Sequence, residues 1–251
     1  MSSFPYRLTG QIGTHTLGLI VLQVDETVEQ DMRRLFASSE VALYVTRVSS
    51  GDELNPDTIA AMETFLPTAA GLLPPAARFD AIGYACTSGT AQIGADSVAK
   101  LISGHATTKA VTDPLTAAIN AFRALSVRRL AIVSPYTPPV AAPICRAFEA
   151  AGIEVVETLS FGEEVEARVA RIDPASIRDA ALHIGQKEHV DGVFLSCTNL
   201  RTLDIIDDLE AELGRPVVSS NQALAWHMGR LSGLKPGPAF PGKLGKTVLS
   251  Y

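Results

Sequence analysis

The chain has 251 residues, enough for one large α/β domain or two lobes, and 47% of them are apolar against 19% charged, so a sizeable core can form. A net charge of −6 with no basic block argues against nucleic acid as a partner. No apolar run reaches the roughly 20 residues that a membrane span needs, and Met1–Gly13 lacks a signal-peptide pattern.

The chain alternates short β runs with amphipathic helices. Leu17–Leu22 reads as a buried parallel strand, Val28–Ala37 as a helix and Val41–Thr46 as a second strand. Asn55 is placed to cap a helix that Pro56 opens, running to about Leu73 with a bend at Pro67. Ala81–Ala85 is the third strand. Thr112-Asp113-Pro114 begins a helix over Leu115–Leu125. The series then restarts. Arg129–Ser134 is a strand, Pro139–Ala151 a helix ended by Gly152, and Glu154–Leu159 a strand. Pro174–Lys187 is a helix, Gly192–Ser196 a strand, Val217–Ser220 a strand, and Asn221–Leu231 a closing helix. The tail after Gly233 is rich in Gly and Pro and is expected to pack as extended chain.

Strand, helix, strand, helix, strand-Cys occurs twice. The two cysteine segments are Asp80-Ala81-Ile82-Gly83-Tyr84-Ala85-Cys86-Thr87 and Asp191-Gly192-Val193-Phe194-Leu195-Ser196-Cys197-Thr198. The expected fold is therefore α/β: two pseudo-symmetric Rossmann-like parallel-sheet lobes with the site in the cleft between them. Residues 1–125, completed by 222–251, would form the first lobe and 126–221 the second. Open α/β sheets bind ligands at the carboxyl ends of strands, where both cysteines fall. Facing thiols can take a proton from one side of a carbon and deliver one to the other. A strand-to-helix turn brings main-chain donors to the sulfur, which predicts a thiol pKa below its usual ~8.5.

The other signals are plainer. Three cysteines without CxxC spacing suggest neither a disulfide framework nor a zinc site, and a reducing cytoplasm is the natural setting. Cys145 falls mid-helix and reads as packing. The five histidines lack metal-ligand spacing, and no dinucleotide or P-loop glycine pattern occurs, so no cofactor is expected. Glu163-Glu164-Val165-Glu166 reads as a solvated helix start, and Asp207, Asp208, Glu210 and Glu212 as an exposed helical face. Asn221 reads as a helix cap or a ligand contact, and Trp226 as core or interface. Apolar surface on the closing helix would suit a homo-oligomer.

Leu195-Ser196-Cys197-Thr198-Asn199-Leu200-Arg201-Thr202-Leu203-Asp204-Ile205-Ile206, then Gly214-Arg215-Pro216-Val217-Val218-Ser219-Ser220-Asn221 and Trp226, resembles the arylmalonate decarboxylases. These belong, with maleate cis-trans isomerases and several racemases, to the Asp/Glu racemase superfamily. The resemblance is strongest from Val190 to Trp226, and the subgroup of ectoine-utilisation clusters is similar too. It implies that Thr87, Ser88 and Tyr136, with main-chain N–H groups after each cysteine, bind a substrate carboxylate. Decarboxylases of the family have glycine where Cys86 stands, so the two cysteines align the chain with racemases and isomerases. Maleate isomerases carry an Asn near the position of Asp25. A carboxylate there would repel a dicarboxylate; amino-acid racemases of the superfamily carry an Asp in this loop, so the resemblance implies that Asp25 could hold a substrate ammonium or orient Cys86. Thr87 and Thr198 also suit helix caps, and Asn199 is a candidate ligand contact.

The expectation is a cofactor-independent isomerase or racemase acting on a small carboxylate, with Cys86 and Cys197 as the catalytic pair and Thr87, Ser88, Tyr136, Thr198, Asn199 and Asp25 binding substrate. A decarboxylase using Cys197 alone is the alternative. A non-catalytic small-molecule binding protein is the second.

Overall fold

The computed structural model describes residues 4–53 and 55–247; positions 1–3 and 248–251, the ends of the predicted N-terminal segment and tail, lie outside the described residues. The first sheet contains β1 (His15–Leu22), β2 (Val41–Val48), β3 (Ala81–Ala85) and β4 (Val111–Thr112), in the order β2-β1-β3-β4. The second contains β5 (Arg129–Ser134), β6 (Glu154–Ser160), β7 (Gly192–Leu195) and β8 (Val217–Ser219), in the order β6-β5-β7-β8. Every pairing in both sheets is parallel. The second order repeats the first strand for strand, so the duplicated sequence pattern is a duplicated topology.

β1 is apolar without alternation because both its faces are covered. Leu17, Leu19 and Val21 pack with residues of α1 (Val28–Leu35) and α10 (Ser220–Leu231), while Ile20 joins Ile82, Tyr84 and α2 (Pro56–Gly71) on the other side. α2 begins as its sequence predicts: the Asn55 side chain accepts from the Asp57 and Thr58 N–H groups at 3.1 and 3.0 Å. It ends at Gly71, short of the expected Leu73. Between Cys86 and β4 the chain forms α3 (Thr87–Ile93) and α4 (Ala95–Ser103). α5 (Pro114–Ala124) and α6 (Pro138–Ala150) follow in the predicted places. Phe122 of α5, Phe148 of α6 and Phe194 of β7 meet edge-on with centroids 5.4 to 6.0 Å apart, so aromatic packing joins the halves of the chain.

α7 (Glu166–Val169), α8 (Pro174–Gly185) and α9 (Ile206–Leu213) complete the second half. Three expectations are corrected here. Ser219, not Asn221, caps α10, with its Oγ accepting from Gln222 N–H at 3.2 Å; Asn221 is buried inside the first turn. Glu210 does not lie on an exposed face: it is buried, and accepts from the N–H groups of Val217 and Lys243 at 2.9 and 2.6 Å. α10 offers little apolar surface, because it packs against α1, α5 and β3, and Leu231 is its one exposed large apolar residue. Gly83 permits that packing, since a Cβ there would stand 2.7 Å from Met228 Sδ. Trp226 is core, and its Nε1 donates to Thr247 Oγ1. The tail runs without regular structure to a short turn at Leu244–Lys246, where Leu244 is buried.

Candidate active site

Cys86 follows β3 directly and Cys197 stands just past β7, so both sulfurs sit at the carboxyl ends of inner strands. Cys86, rather than Thr87, caps α3: its Sγ accepts from Gly89 N–H at 3.1 Å and lies 3.6 Å from Ser88 Oγ. Glycine is required at 89, because a Cβ would collide with Tyr84 Oη and stand 2.9 Å from Cys86 Sγ. Cys197 carries a positive φ of 155°, a conformation that L side chains rarely adopt.

A single hydroxyl ties the two cysteine loops together. Ser220 Oγ lies 2.9 Å from Thr87 Oγ1 and accepts from Cys197 N–H at 3.1 Å. Thr198 Oγ1 donates to Ala85 O at 3.3 Å, a second link between the loops. Tyr136, in the loop after β5, is buried near both sulfurs, and burial, with Cys197 and Cys86 beside it, raises its hydroxyl well above the ordinary range. Asp25 occupies the equivalent loop after β1. Its Oδ1 accepts from Thr27 and Val28 N–H at 2.8 and 2.9 Å, while the buried Oδ2 has no hydrogen-bond partner among the described residues. Asp25 stands beside Thr198, and its charge adds to the rise of the Cys197 pKa.

Asn199 is a strut between the lobes. Its Oδ1 accepts from Glu26 N–H, its carbonyl accepts from Thr27 Oγ1, and its Nδ2 donates to Glu166 O and Oε2 at 3.1 and 3.0 Å. Those bonds lead to a residue the sequence reading misplaced. Glu166 is not solvated: it is 4% exposed and lines a cavity of about 10 Å³ with Cys86 and Ser88. The cavity is closed by a strap from the first half, where Glu53 pairs with Val165 and Asp52 O accepts from Glu166 N–H at 3.1 Å.

The electrostatics reverse one expectation. Burial pushes the Cys86 thiol up to about 11, against the pull of Ser88 and Gly89 N–H. Burial, reinforced by the charge of Glu166, also raises Cys197 well above its ordinary value, against hydrogen bonds from Tyr136 and Asn199 N–H. The predicted main-chain donors are present, but desolvation outweighs them, so neither sulfur is a thiolate in the closed site. Burial also raises Glu166 to about 7, with Asn199 opposing and Asp25 adding to the rise. Asp25 rises for the same reason, held back mainly by Val28 and Thr27 N–H.

A larger cavity of about 400 Å³ lies beyond Tyr136 and Ser196, lined also by half-buried Cys145; neither Cys86 nor Cys197 reaches it. Among the described residues no His, Cys, Asp and Glu group is arranged to hold a metal ion, and no helix is long and apolar enough to cross a membrane. His227 is packed against Thr112 at 2.7 Å, and its burial lowers its pKa to about 4.

Residues 94–244 match the model of the arylmalonate decarboxylase family. The chain belongs to that family. The decarboxylase of Bordetella bronchiseptica is 35% identical over 119 residues, a match covering 47% of this chain and half of that protein. A maleate isomerase from Nocardia farcinica is 26% identical over 230 residues, covering 87% of this chain and 90% of its own. A liganded arylmalonate decarboxylase mutant, with one glycine changed to cysteine and one cysteine to serine, superposes with a TM-score of 0.81 at 26% identity, covering 92% and 98% of the two chains. The fold is that of the arylmalonate decarboxylase and maleate isomerase branch. The relatives support an enzyme of cysteine-based isomerase or decarboxylase type.

Four residues of the candidate site escaped the sequence reading. Glu166 was hidden in an acidic run. Ser220 lay within the family-like segment but read as strand. Tyr84 and Gly89 gave no signal, because their importance comes from a single close approach around Cys86.

Proposed function

We propose that the chain is a cofactor-independent racemase or isomerase acting on a small carboxylate, with Cys86 and Cys197 as its two acid–base groups. The observation that carries this reading is the shared environment of the two sulfurs. They end equivalent strands, their loops meet through Ser220, and both stand buried beside Tyr136. In the racemase form, one sulfur, as thiolate, takes the proton from the carbon beside the carboxylate. The C–H electron pair moves into the carboxylate, giving an enediolate that hydroxyl and main-chain donors near the cysteines stabilise. The opposing thiol then donates its proton to the other face and becomes the thiolate. In the isomerase form, a thiolate adds to one alkene carbon while the opposing thiol protonates the other. Rotation about the new single bond and reversal of both steps give the other geometric isomer.

Ionisation requires the strap to open. Burial is the largest cause of the raised thiol pKa values, so water or ligand entering between Glu53 and Val165 returns Cys86 toward the ordinary range. The family match favours one other reading. In a decarboxylase, C–C cleavage would release carbon dioxide and leave the same enediolate, which the Cys197 thiol would protonate.

Proton NMR in deuterated water separates these readings. A two-cysteine racemase exchanges the α-hydrogen of its substrate, and C86S and C197S each abolish exchange. A decarboxylase releases carbon dioxide from phenylmalonate and tolerates Cys86→Gly. Exchange that survives both serine variants refutes the two-sulfur mechanism.

A further inference from the structure

The cavity of about 400 Å³ beyond Tyr136 has no part in the reaction proposed above, yet it is of the size that holds small organic ligands. Its inner wall follows from strand register. Ser160 of β6 pairs with Ser134 of β5, and Val133 of β5 pairs with Leu195 of β7. Ser196 N–H continues that ladder onto Val133 O at 2.8 Å, which sets Ser196 beside Ser134. Residues two apart on a strand share a face, and Phe194 packs on Phe148 of α6, so Ser196 faces α6 as well. Three hydroxyls therefore stand in a row across the ends of three strands, all lining the cavity. The row is only partly satisfied. Ser160 Oγ donates to Tyr136 O and accepts from Gly162 N–H at 3.0 Å. Ser196 is fully buried, and its Oγ has no hydrogen-bond partner among the described residues. A buried hydroxyl left without a partner is costly, and calls for a group to meet it.

The opposite wall is one face of α6. Pro138, Ala141, Ala142, Cys145 and Arg146 recur there at helical spacing, and the two alanines leave the middle open. Pro138 lies near the strand ends by chain connection, and the helix rises about 12 Å from it to Arg146. Arg146 is exposed and, among the described residues, forms no salt bridge, even with Glu149 one turn on. The cavity thus has an orphaned hydroxyl at its inner end, apolar walls from Ile132 and Leu159, and a free guanidinium at its mouth. We propose that it is a second small-molecule site, separate from the thiols, for an elongated apolar carboxylate with a hydrogen-bonding group at its far end. The carboxylate pairs with Arg146, whose planar fork of donors suits it. The apolar body lies along Ala141 and Ala142, and the far group supplies the partner that Ser196 Oγ lacks.

The probe is 4-(4-hydroxyphenyl)butanoate, whose two polar ends span most of the distance from the hydroxyl row to Arg146. Binding is read by calorimetric titration and by protection of Cys145 from iodoacetamide at pH 7.5, with mass spectrometry of the Cys145 peptide. The expected Kd is below about 1 mM, with protection that saturates in step. The phenyl compound 4-phenylbutanoate lacks the hydroxyl, and the amide 4-(4-hydroxyphenyl)butanamide lacks the charge. Each should bind at least about 5-fold more weakly than the probe. Arg146→Gln should erase the preference over the amide, and Ser196→Ala the preference over the phenyl compound. Ser196→Ala should also leave the empty protein at least as stable as the parent, because it removes an unpaired buried hydroxyl. Ala142→Trp fills the cavity and should abolish binding. Thermal melts check that each variant is folded, and the other two decide the matter if the tryptophan variant is not. The proposal is wrong if the probe gives no saturable protection, if both preferences survive Arg146→Gln and Ser196→Ala, or if a folded Ala142→Trp protein still binds. Protection of Cys145 that rises with protein concentration instead of with probe would mean that a second copy of the chain covers the cavity, and overturns the proposal too.

Discussion

Replacing Glu166 with Gln should make the protein more stable at alkaline pH and change little at acidic pH. The carboxyl is 4% exposed, and its pKa rises from 4.5 to about 7 on folding, chiefly through burial. A raised acid pKa means that the folded state holds this proton more tightly than the unfolded chain does. Its contribution is therefore fully present below pH 4.5 and is lost as pH climbs through 7. The difference between those pKa values corresponds to about 3 kcal/mol at most. Glutamine keeps an acceptor for Asn199 Nδ2 without the titration. At about 2–4 °C per kcal/mol for a chain of this size, E166Q should melt up to roughly 10 °C above the parent at pH 8, with the gap closing toward pH 4.5. Asp31, raised to about 6 by burial, titrates in both proteins and cancels in the comparison. Paired melts from pH 4.5 to 8.5 measure the effect. A gap that does not change with pH, or a variant less stable than the parent at pH 8, would show that this carboxyl is not held neutral by burial.

Three other outcomes follow from the same geometry. Ser220→Ala removes the shared acceptor of Cys197 N–H and the partner of Thr87, leaving a buried donor unpaired; denaturant titration should show a loss of about 1–3 kcal/mol, and an unchanged midpoint would contradict the bridge. Gly89→Ala forces a methyl against Tyr84 Oη and Cys86 Sγ and should cost about 1–3 kcal/mol, with loss of any Cys86-dependent exchange; full activity with parent-like melting would mean that this turn tolerates a side chain. Iodoacetamide at pH 7.5 should label half-buried Cys145 before Cys86 or Cys197, both 3% exposed with raised pKa values; mass spectrometry showing Cys86 labelled first would indicate an open strap in solution.

Much of this was determined by sequence alone, because the signals are local. Runs such as Leu17–Leu22 have to be covered on two faces. Asn55-Pro56 and Asp113-Pro114 start helices because the cap side chain accepts from one or two of the first free N–H groups and the proline removes another. The repeated strand-Cys-Thr pattern placed both thiols at strand ends before any coordinates. What only the tertiary structure decided is the state and surroundings of those thiols. Burial is a property of the whole fold, so the desolvation that lifts Cys86 to about 11 has no local signature. Glu166 and Glu210 look like their solvated neighbours in sequence, and differ only because a strap and a tail close over them. Ser220 acquires its role from two hydroxyl-range contacts between segments far apart in the chain, a coincidence in space that no periodicity encodes.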